Sequence, residues 1–407
     1  MNILVYGLNF SPELTGSGKY TGEMATWFAE NNFNVEVIAA VPHYPEWKLN
    51  SKFENKWSIE KKDNLIIKRC PIFIPKDITG YKRILHEFSF HLTSLWHWLP
   101  CFFKRYDVII SVAPPMLIGI YPTVYNFFWR KCIHVYHIQD LQVDVARELK
   151  LINSKILLSI LYRAEKLILK NAGIISSISD GMKDKLLSKA IDKQKYFMLP
   201  NWVETDFIKP LAPNISMLQR YGLTINDFIV LYCGSIGEKQ GLEIMIDAAK
   251  HLEGFQNIKF LICGNGVQKD ALISYAESME LNNIIFANTL PYNELPDLLS
   301  IAHIHLVIQK AATSDLLMPS KLTTILSAGG VSIITANPGT TLYNLIHKHN
   351  LGICIEPGSA LALSETILFT YNNYSIMENK KLNARNYALS FLDKENILNR
   401  LKKAIEK

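Results

Sequence analysis

The chain has 407 residues, a formal net charge of +6, 49% hydrophobic and 20% charged residues. That length exceeds one comfortable core, so two domains are expected, with the composition of a soluble globular protein. The mild positive charge suits an anionic substrate or an acidic membrane surface, and no RNP, zinc-finger or helix-turn-helix pattern supports a nucleic-acid partner.

Residues 3–6, ILVY, read as a first buried strand. The chain opens directly on it, so no signal peptide is expected. The next loop holds Gly16 and Gly18 and leads into a helix running to about Asn31. This is not a dinucleotide fingerprint. Thr21 stands where G-x-G-x-x-G/A needs its third small residue, and the second strand (35–40) ends in Ala-Val-Pro instead of a ribose-binding acid. A nicotinamide dehydrogenase is disfavoured. His43, in the Pro-His-Tyr-Pro run after that strand, is either a contact for a substrate hydroxyl or a surface-loop histidine.

Residues 76–105 mix aromatic and basic side chains, with Lys82, Arg83, Lys104 and Arg105 bracketing the aromatics. Two readings stand: an interfacial helix pair on a membrane surface, favoured by the bracketing charges, or a core helix. Residues 108–129 are apolar enough to imitate a membrane span. Pro114, Pro115 and Pro122 interrupt them, so a strand, a Pro-Pro turn and a short helix are expected. The run HVYHIQD ends a further strand with His137 and Asp140, where strand ends place functional groups; a purely structural role for His137 stays open. Strands at 173–177 and 196–199 complete the first half, and the proline-rich stretch 200–213 marks a boundary.

The second half repeats the alternation, with strands near 228–233, 259–263, 283–286, 304–308, 331–335 and 352–355. Such alternation implies parallel sheets with right-handed crossovers. Two strand–loop–helix units stand out. In IVLYCGSIGEKQGLE a glycine-bearing loop, Gly234 to Gly241, precedes a helix and carries Lys239. In the second, Ser320 and Lys321 open a helix after a polar loop. Backbone N–H groups at a helix start favour a phosphate, and two such loops suggest a diphosphate held from two sides. The alternative is an ordinary turn shaped by glycine. No D-x-D motif occurs, so neutralisation by lysine and backbone N–H groups is expected, without a metal or other cofactor. The six cysteines form no C-x-x-C and suit a reducing cytoplasm. The tail, residues 383–407, reads as one charged amphipathic helix.

Taken in order, NILVYGLNFSPELTGSGKYTGEM, HIQD, SSISDGM, LPNW, GSIGEKQGLE, CGNG, LPYNELPDLL and the pair VIQK and LMPSKLTTIL resemble the family-4 glycosyltransferases of GT-B architecture. Within them the chain is similar to colanic-acid and O-antigen fucosyltransferases and N-acetyl-L-fucosaminyltransferases. The resemblance implies an α/β fold of two facing Rossmann-like domains with a C-terminal crossover helix. The acceptor domain is expected at 1–205 with 384–407, and the nucleotide-sugar domain at 206–383. It implies nucleotide-sugar contacts from Gly16, Gly18, Gly234, Ser235, Glu238, Gly264, Asn265, Leu290, Ser320, Leu322 and Thr324. Acceptor contacts are implied for Glu13, Lys19, Tyr20, His43 and His137, and catalytic roles for Lys239, Lys321 and Asp140.

Two departures matter. Leu316 and Thr324 replace the glutamate pair that many relatives carry, and Gln240 stands where many have the basic residue before the loop's last glycine. The implied reaction retains anomeric configuration, with the leaving diphosphate stabilised electrostatically. The expected donor is UDP-N-acetyl-L-fucosamine or GDP-L-fucose. The expected acceptor is an undecaprenyl-diphosphate-linked sugar on the inner membrane face, in O-antigen, capsule or exopolysaccharide synthesis. A sugar-nucleotide epimerase and a non-catalytic nucleotide-sugar-binding protein are the alternatives.

Overall fold

The computed structural model describes residues 1–13, 16–77, 80–148, 154–310 and 319–406. Two compact units emerge. One comprises Met1–Pro200 with Leu398–Lys407, the other Asn201–Ile397.

The first unit begins β1 (Asn2–Gly7), α1 (Gly16–Glu30), β2 (Asn34–Ala40), β3 (Ser58–Lys62), β4 (Leu65–Cys70) and α2 (Gly80–Cys101). It continues β5 (Val108–Ala113), α3 (Ile120–Phe128), β6 (Ile133–Ile138), α4 (Gln142–Glu148), α5 (Lys155–Asn171), β7 (Ile174–Ser177), α6 (Asp180–Ser188) and β8 (Tyr196–Met198). Its eight strands order as β3-β4-β2-β1-β5-β6-β7-β8. The central strands are apolar and buried on both faces, as a parallel sheet covered by helices requires.

The second unit holds α7 (Ile215–Arg220), β9 (Phe228–Cys233), α8 (Glu243–His251), β10 (Ile258–Cys263), α9 (Lys269–Ser278), β11 (Ile284–Ala287), α10 (Leu295–Ser300) and β12 (Ile304–Val307). Then come α11 (Ser320–Ser327), β13 (Ser332–Thr335), α12 (Thr341–His349), β14 (Ile353–Ile355), α13 (Ala360–Asn372) and α14 (Glu378–Tyr387). Its six parallel strands order as β11-β10-β9-β12-β13-β14. The order reverses between β9 and β12. In open α/β sheets that reversal leaves a crevice at the carboxyl ends of the strands, where ligands bind.

Four expectations change. The β3–β4 antiparallel pair was not foreseen. Its outer strand SIEKK is charged and exposed, as an edge strand tends to be, and carries no apolar alternation. Residues 76–105 do not form a helix pair. They give the single 22-residue helix α2, one face of which buries His86, Phe90, His97 and Trp98. The tail is not one helix either. After α14 a π turn (Ala388–Leu392) and an extended Asp393 interrupt it, and α15 (Lys394–Ile405) follows. Asp393 ends the turn because its carboxylate accepts from Thr205 and from the Asn396 backbone N–H that starts α15. The expected second-domain span of 206–383 also widens: Asn201–Ile397 pack together, and only Leu398–Lys407 of the tail joins the first unit.

The apolar run 108–129 is β5, a Pro-Pro turn, a short 3-10 turn and α3, as the prolines demand. Among the described residues, no helix is long and apolar enough to cross a membrane.

Candidate functional site

In the second unit the site grows from the end of β9. The strand FIVLYC is buried for all but its last residue, and the chain then turns at Gly234 with φ of 149°. The run beneath this turn, Gly264 to Gly266, must be glycine-built because the backbone of the turn lies against it. A Cβ on Gly264 would sit 1.9 Å from the Gly234 carbonyl oxygen, and one on Gly266 2.1 Å from that of Ile236. Backbone N–H groups of Gly234 and Ile236 donate to Cys263 and Asn265 at 3.0 and 2.9 Å. The CGNG run is thus the shelf on which the glycine loop rests.

Lys321 enters from the first turn of α11. Its Nζ lies 3.7 Å from the centroid of the Tyr232 ring. It also stands 3.0 Å from where a Gly234 Cβ would be. That nitrogen is buried and has no hydrogen-bond partner among the described residues. Burial pulls its pKa from 10.5 down to about 7. An unpaired buried ammonium is costly, so this is a position that a negative group would relieve. Gln309, following β12, also holds its side-chain Nε2 buried without a partner among the described residues.

Lys239 is exposed on the loop, and its carbonyl accepts the Lys310 backbone N–H at 3.0 Å. This bond ties the glycine loop to the end of β12, across the reversal of strand order. Lys310 lays its side chain over Gly241, with Cγ 2.9 Å from where a Cβ would be. The sequence reading missed Lys310. The available signal was a basic residue shortly after an apolar strand.

Among the other expected donor contacts, Ser235 and Glu238 are exposed on the loop, and Asn265 is exposed on the shelf. Ser320 is exposed at the start of α11. Leu290 is half-buried and packs on the core. Leu322 is fully buried in that core, so only its backbone is available to a ligand. The Thr324 hydroxyl donates to the Lys321 carbonyl at 2.8 Å, which turns it back on its own helix. Leu316 lies outside the described residues.

In the first unit the strand ends carry a separate group. Glu13 is buried and accepts the backbone N–H groups of His43 and Tyr44 at 3.0 and 2.9 Å. Its other oxygen accepts from Asn9 at 2.8 Å. Gly18 fits beneath it, since a Cβ there would be 2.7 Å from Oε2. Gly16 starts α1 with φ of 60°. Lys19 pairs with Glu23 at 3.8 Å, and Tyr20 is buried.

His43 is buried, with Nδ1 at 2.9 Å from the Val41 carbonyl and Nε2 at 3.2 Å from Nε2 of His86. Burial, opposed by a hydrogen bond to the Phe73 carbonyl, holds His86 down at about 4. His137 is also enclosed. Its ring nitrogens meet Ser176 and Gln139 at 3.0 and 2.9 Å, and burial holds its pKa near 3. That neutral, doubly bonded ring supports the structural reading of His137. Asp140 follows β6 half-buried, where its charge adds to the effect of burial in raising the Glu87 carboxyl.

A family model described as glycosyl transferases group 1 matches residues 217–388. Over 413 residues the chain is 35% identical to the putative colanic acid biosynthesis glycosyl transferase WcaI of Escherichia coli (strain K12), with 98% of each protein covered. The chain belongs to the group 1 glycosyltransferases. Among solved structures the transferase is similar to sucrose-phosphate synthase from Thermosynechococcus elongatus, with a TM-score of 0.74, 15% identity, and 100% and 98% of the two chains covered. It is also similar to Anabaena HepE in complex with UDP and glucose, with a TM-score of 0.72, 14% identity, and 100% and 99% coverage. These likenesses match its two parallel α/β units to the GT-B fold.

Proposed function

We propose that this transferase moves an L-fucose-type sugar from UDP-N-acetyl-L-fucosamine or GDP-L-fucose to a lipid-diphosphate-linked sugar in O-antigen, capsule or exopolysaccharide synthesis. The observation that carries the donor half is Lys321. Its buried, unpartnered Nζ stands beside the glycine loop at the reversal of strand order. A diphosphate there would supply the missing negative charge, with loop N–H groups, Lys239 and Lys310 completing the cradle. The naming of the Escherichia coli relative for colanic acid biosynthesis supports a polysaccharide product.

The expected chemistry is metal-independent and retains anomeric configuration. Negative charge develops on the β-phosphate as the glycosidic bond breaks, and preorganised lysines are placed to meet it. The departing phosphate is itself able to take the acceptor proton. Asp140 keeps a proposed role at the acceptor end of the first unit, with Lys19 and the loop that Glu13 holds.

The membrane-surface proposal rests on α2. Tyr81, Leu85, Phe88, Leu92, Trp96 and Leu99 are exposed at helical spacing, on the face turned away from His86, Phe90 and Trp98, and Phe103 is exposed in the turn just past the helix end. An exposed apolar stripe of this length suits the interface of the cytoplasmic membrane, where a lipid-linked acceptor resides. The test is a donor screen against an undecaprenyl-diphosphate-sugar, with product mass as readout. Transfer of a deoxyhexose or N-acetylated deoxyhexose supports the reading. Epimerised nucleotide-sugar, or binding without turnover, overturns it.

A further inference from the structure

Tyr232 was not among the residues that the motifs single out. On the sequence it is one more aromatic in a buried strand. Its side chain is fully buried on β9, yet both of its chemical faces are used within the donor site. The flat face of the ring lies 3.7 Å from Lys321 Nζ. The hydroxyl donates to the Ser235 carbonyl at 2.7 Å, in the glycine loop itself.

We propose that Tyr232 is a positioning residue of the transferase, holding the Lys321 side chain with its ring and the glycine loop with its hydroxyl. The proposal rests on the donor-site reading above. It adds a specific division of labour within one side chain. The loop and α11 are separate in sequence, and both must be fixed for loop N–H groups and an ammonium to converge on one anion. Tyr232 touches both. The ring's negative face attracts a cation and is worth most when the pair is shielded from water, as here. Its hydroxyl removes one degree of freedom from a loop whose glycines otherwise leave it loose.

The titratable neighbours do not supply this positioning. The neighbouring Cys263 thiol on β10, together with burial, raises the pKa of Cys233, on the same strand, well above the thiol range. Burial raises Tyr232 likewise. Both therefore stay neutral where Lys321 titrates. From α14, Arg385 reaches α11 only at Ser327, two turns beyond Lys321.

The experiment compares wild type with Tyr232→Phe and Tyr232→Met, each checked for an intact thermal transition. Lys321 is titrated by NMR in protein carrying 13C-labelled lysine, its signal assigned by loss in Lys321→Met. UDP and GDP affinities are measured by calorimetry on the same proteins. Tyr232→Met should lower the Lys321 midpoint by roughly 0.5–1.5 pH units. It should also weaken nucleotide binding by about tenfold or more. Tyr232→Phe keeps the ring, so the midpoint should hold while affinity falls by roughly three- to tenfold, the value of one hydrogen bond.

A merely structural tyrosine would leave the Lys321 midpoint in place in Tyr232→Met. Unchanged midpoint and unchanged nucleotide affinity in the folded variants overturn the proposal while leaving the donor site standing. If Tyr232→Met does not fold, wild-type affinity in Tyr232→Phe overturns it. Failure of wild type to bind either nucleotide overturns the donor-site reading and this role with it.

Discussion

Glu13 accepts the backbone N–H of His43 at 3.0 Å across 30 residues of sequence, and so ties the loop after β1 to the loop after β2. The same oxygen accepts from Tyr44, and the other from Asn9. Glu13→Ala leaves these buried and part-buried donors unpaired. The expected loss of stability is roughly 2–4 kcal/mol in chemical denaturation. Glu13→Gln keeps a carbonyl oxygen for the two backbone donors and should lose less than half as much. Equal losses in the two variants would show that the loop is not held by this carboxylate.

Lys321 makes stability depend on pH in a definite direction. Its proton leaves the native protein near pH 7, against a reference value of 10.5. The unfolded chain therefore binds more protons between those values, and stability rises with pH across that window. Below it the burial cost is present in full. Lys321→Met should stabilise the ligand-free protein by on the order of 3–5 kcal/mol at pH 6. The gain should shrink to about a third by pH 9.5. Denaturant midpoints at the two pH values check this, and a gain independent of pH would contradict the buried ammonium.

The contact between Gly264 and Gly234 predicts a steric result. A Cβ at 1.9 Å from a carbonyl oxygen cannot be accommodated by a side-chain rotation, because both partners are backbone. Gly264→Ala should cost roughly 1–3 kcal/mol or more. It should also abolish UDP and GDP binding by displacing the glycine loop. Wild-type nucleotide affinity in this variant would separate the loop from the donor site.

The outer face of α2 gives a test that spares the fold. Phe88 and Trp96 on α2, and Phe103 just past its end, are 47%, 66% and 88% exposed. Their replacement by serine should leave the melting temperature nearly unchanged. At a membrane surface each would bury apolar area worth roughly 1.5–3 kcal/mol. The triple variant should therefore stop sedimenting with anionic vesicles. The basic residues nearby are a weaker lever, since Lys82 pairs with Asp77, Arg83 with Glu87 and Lys104 with Glu36. Undiminished sedimentation of the triple variant would move any membrane contact elsewhere.

The parallel strands were legible because buried strands are short apolar runs, and β9 and β12 are of that kind. Lys321 was legible as a helix-start lysine. Its burial was not, because that depends on a ring contributed by another strand. His43 and His86 meet at 3.2 Å across 43 residues, a pairing that no periodicity encodes. The β3–β4 hairpin stayed hidden because its charged edge lacks the alternation that marks a half-buried strand. Residues 76–105 were divided between a core and a surface reading because α2 has both faces.

The central claim is that lysines at the glycine loop meet the charge of the departing diphosphate. Its most direct test is turnover by wild type, Lys239→Ala and Lys321→Ala with the donor that the wild type uses and a lipid-linked acceptor. A positioned donor to a developing anion is worth roughly 3–4 kcal/mol, so each folded variant should lose about 10²–10³ in turnover. Near-normal turnover in both would contradict the account.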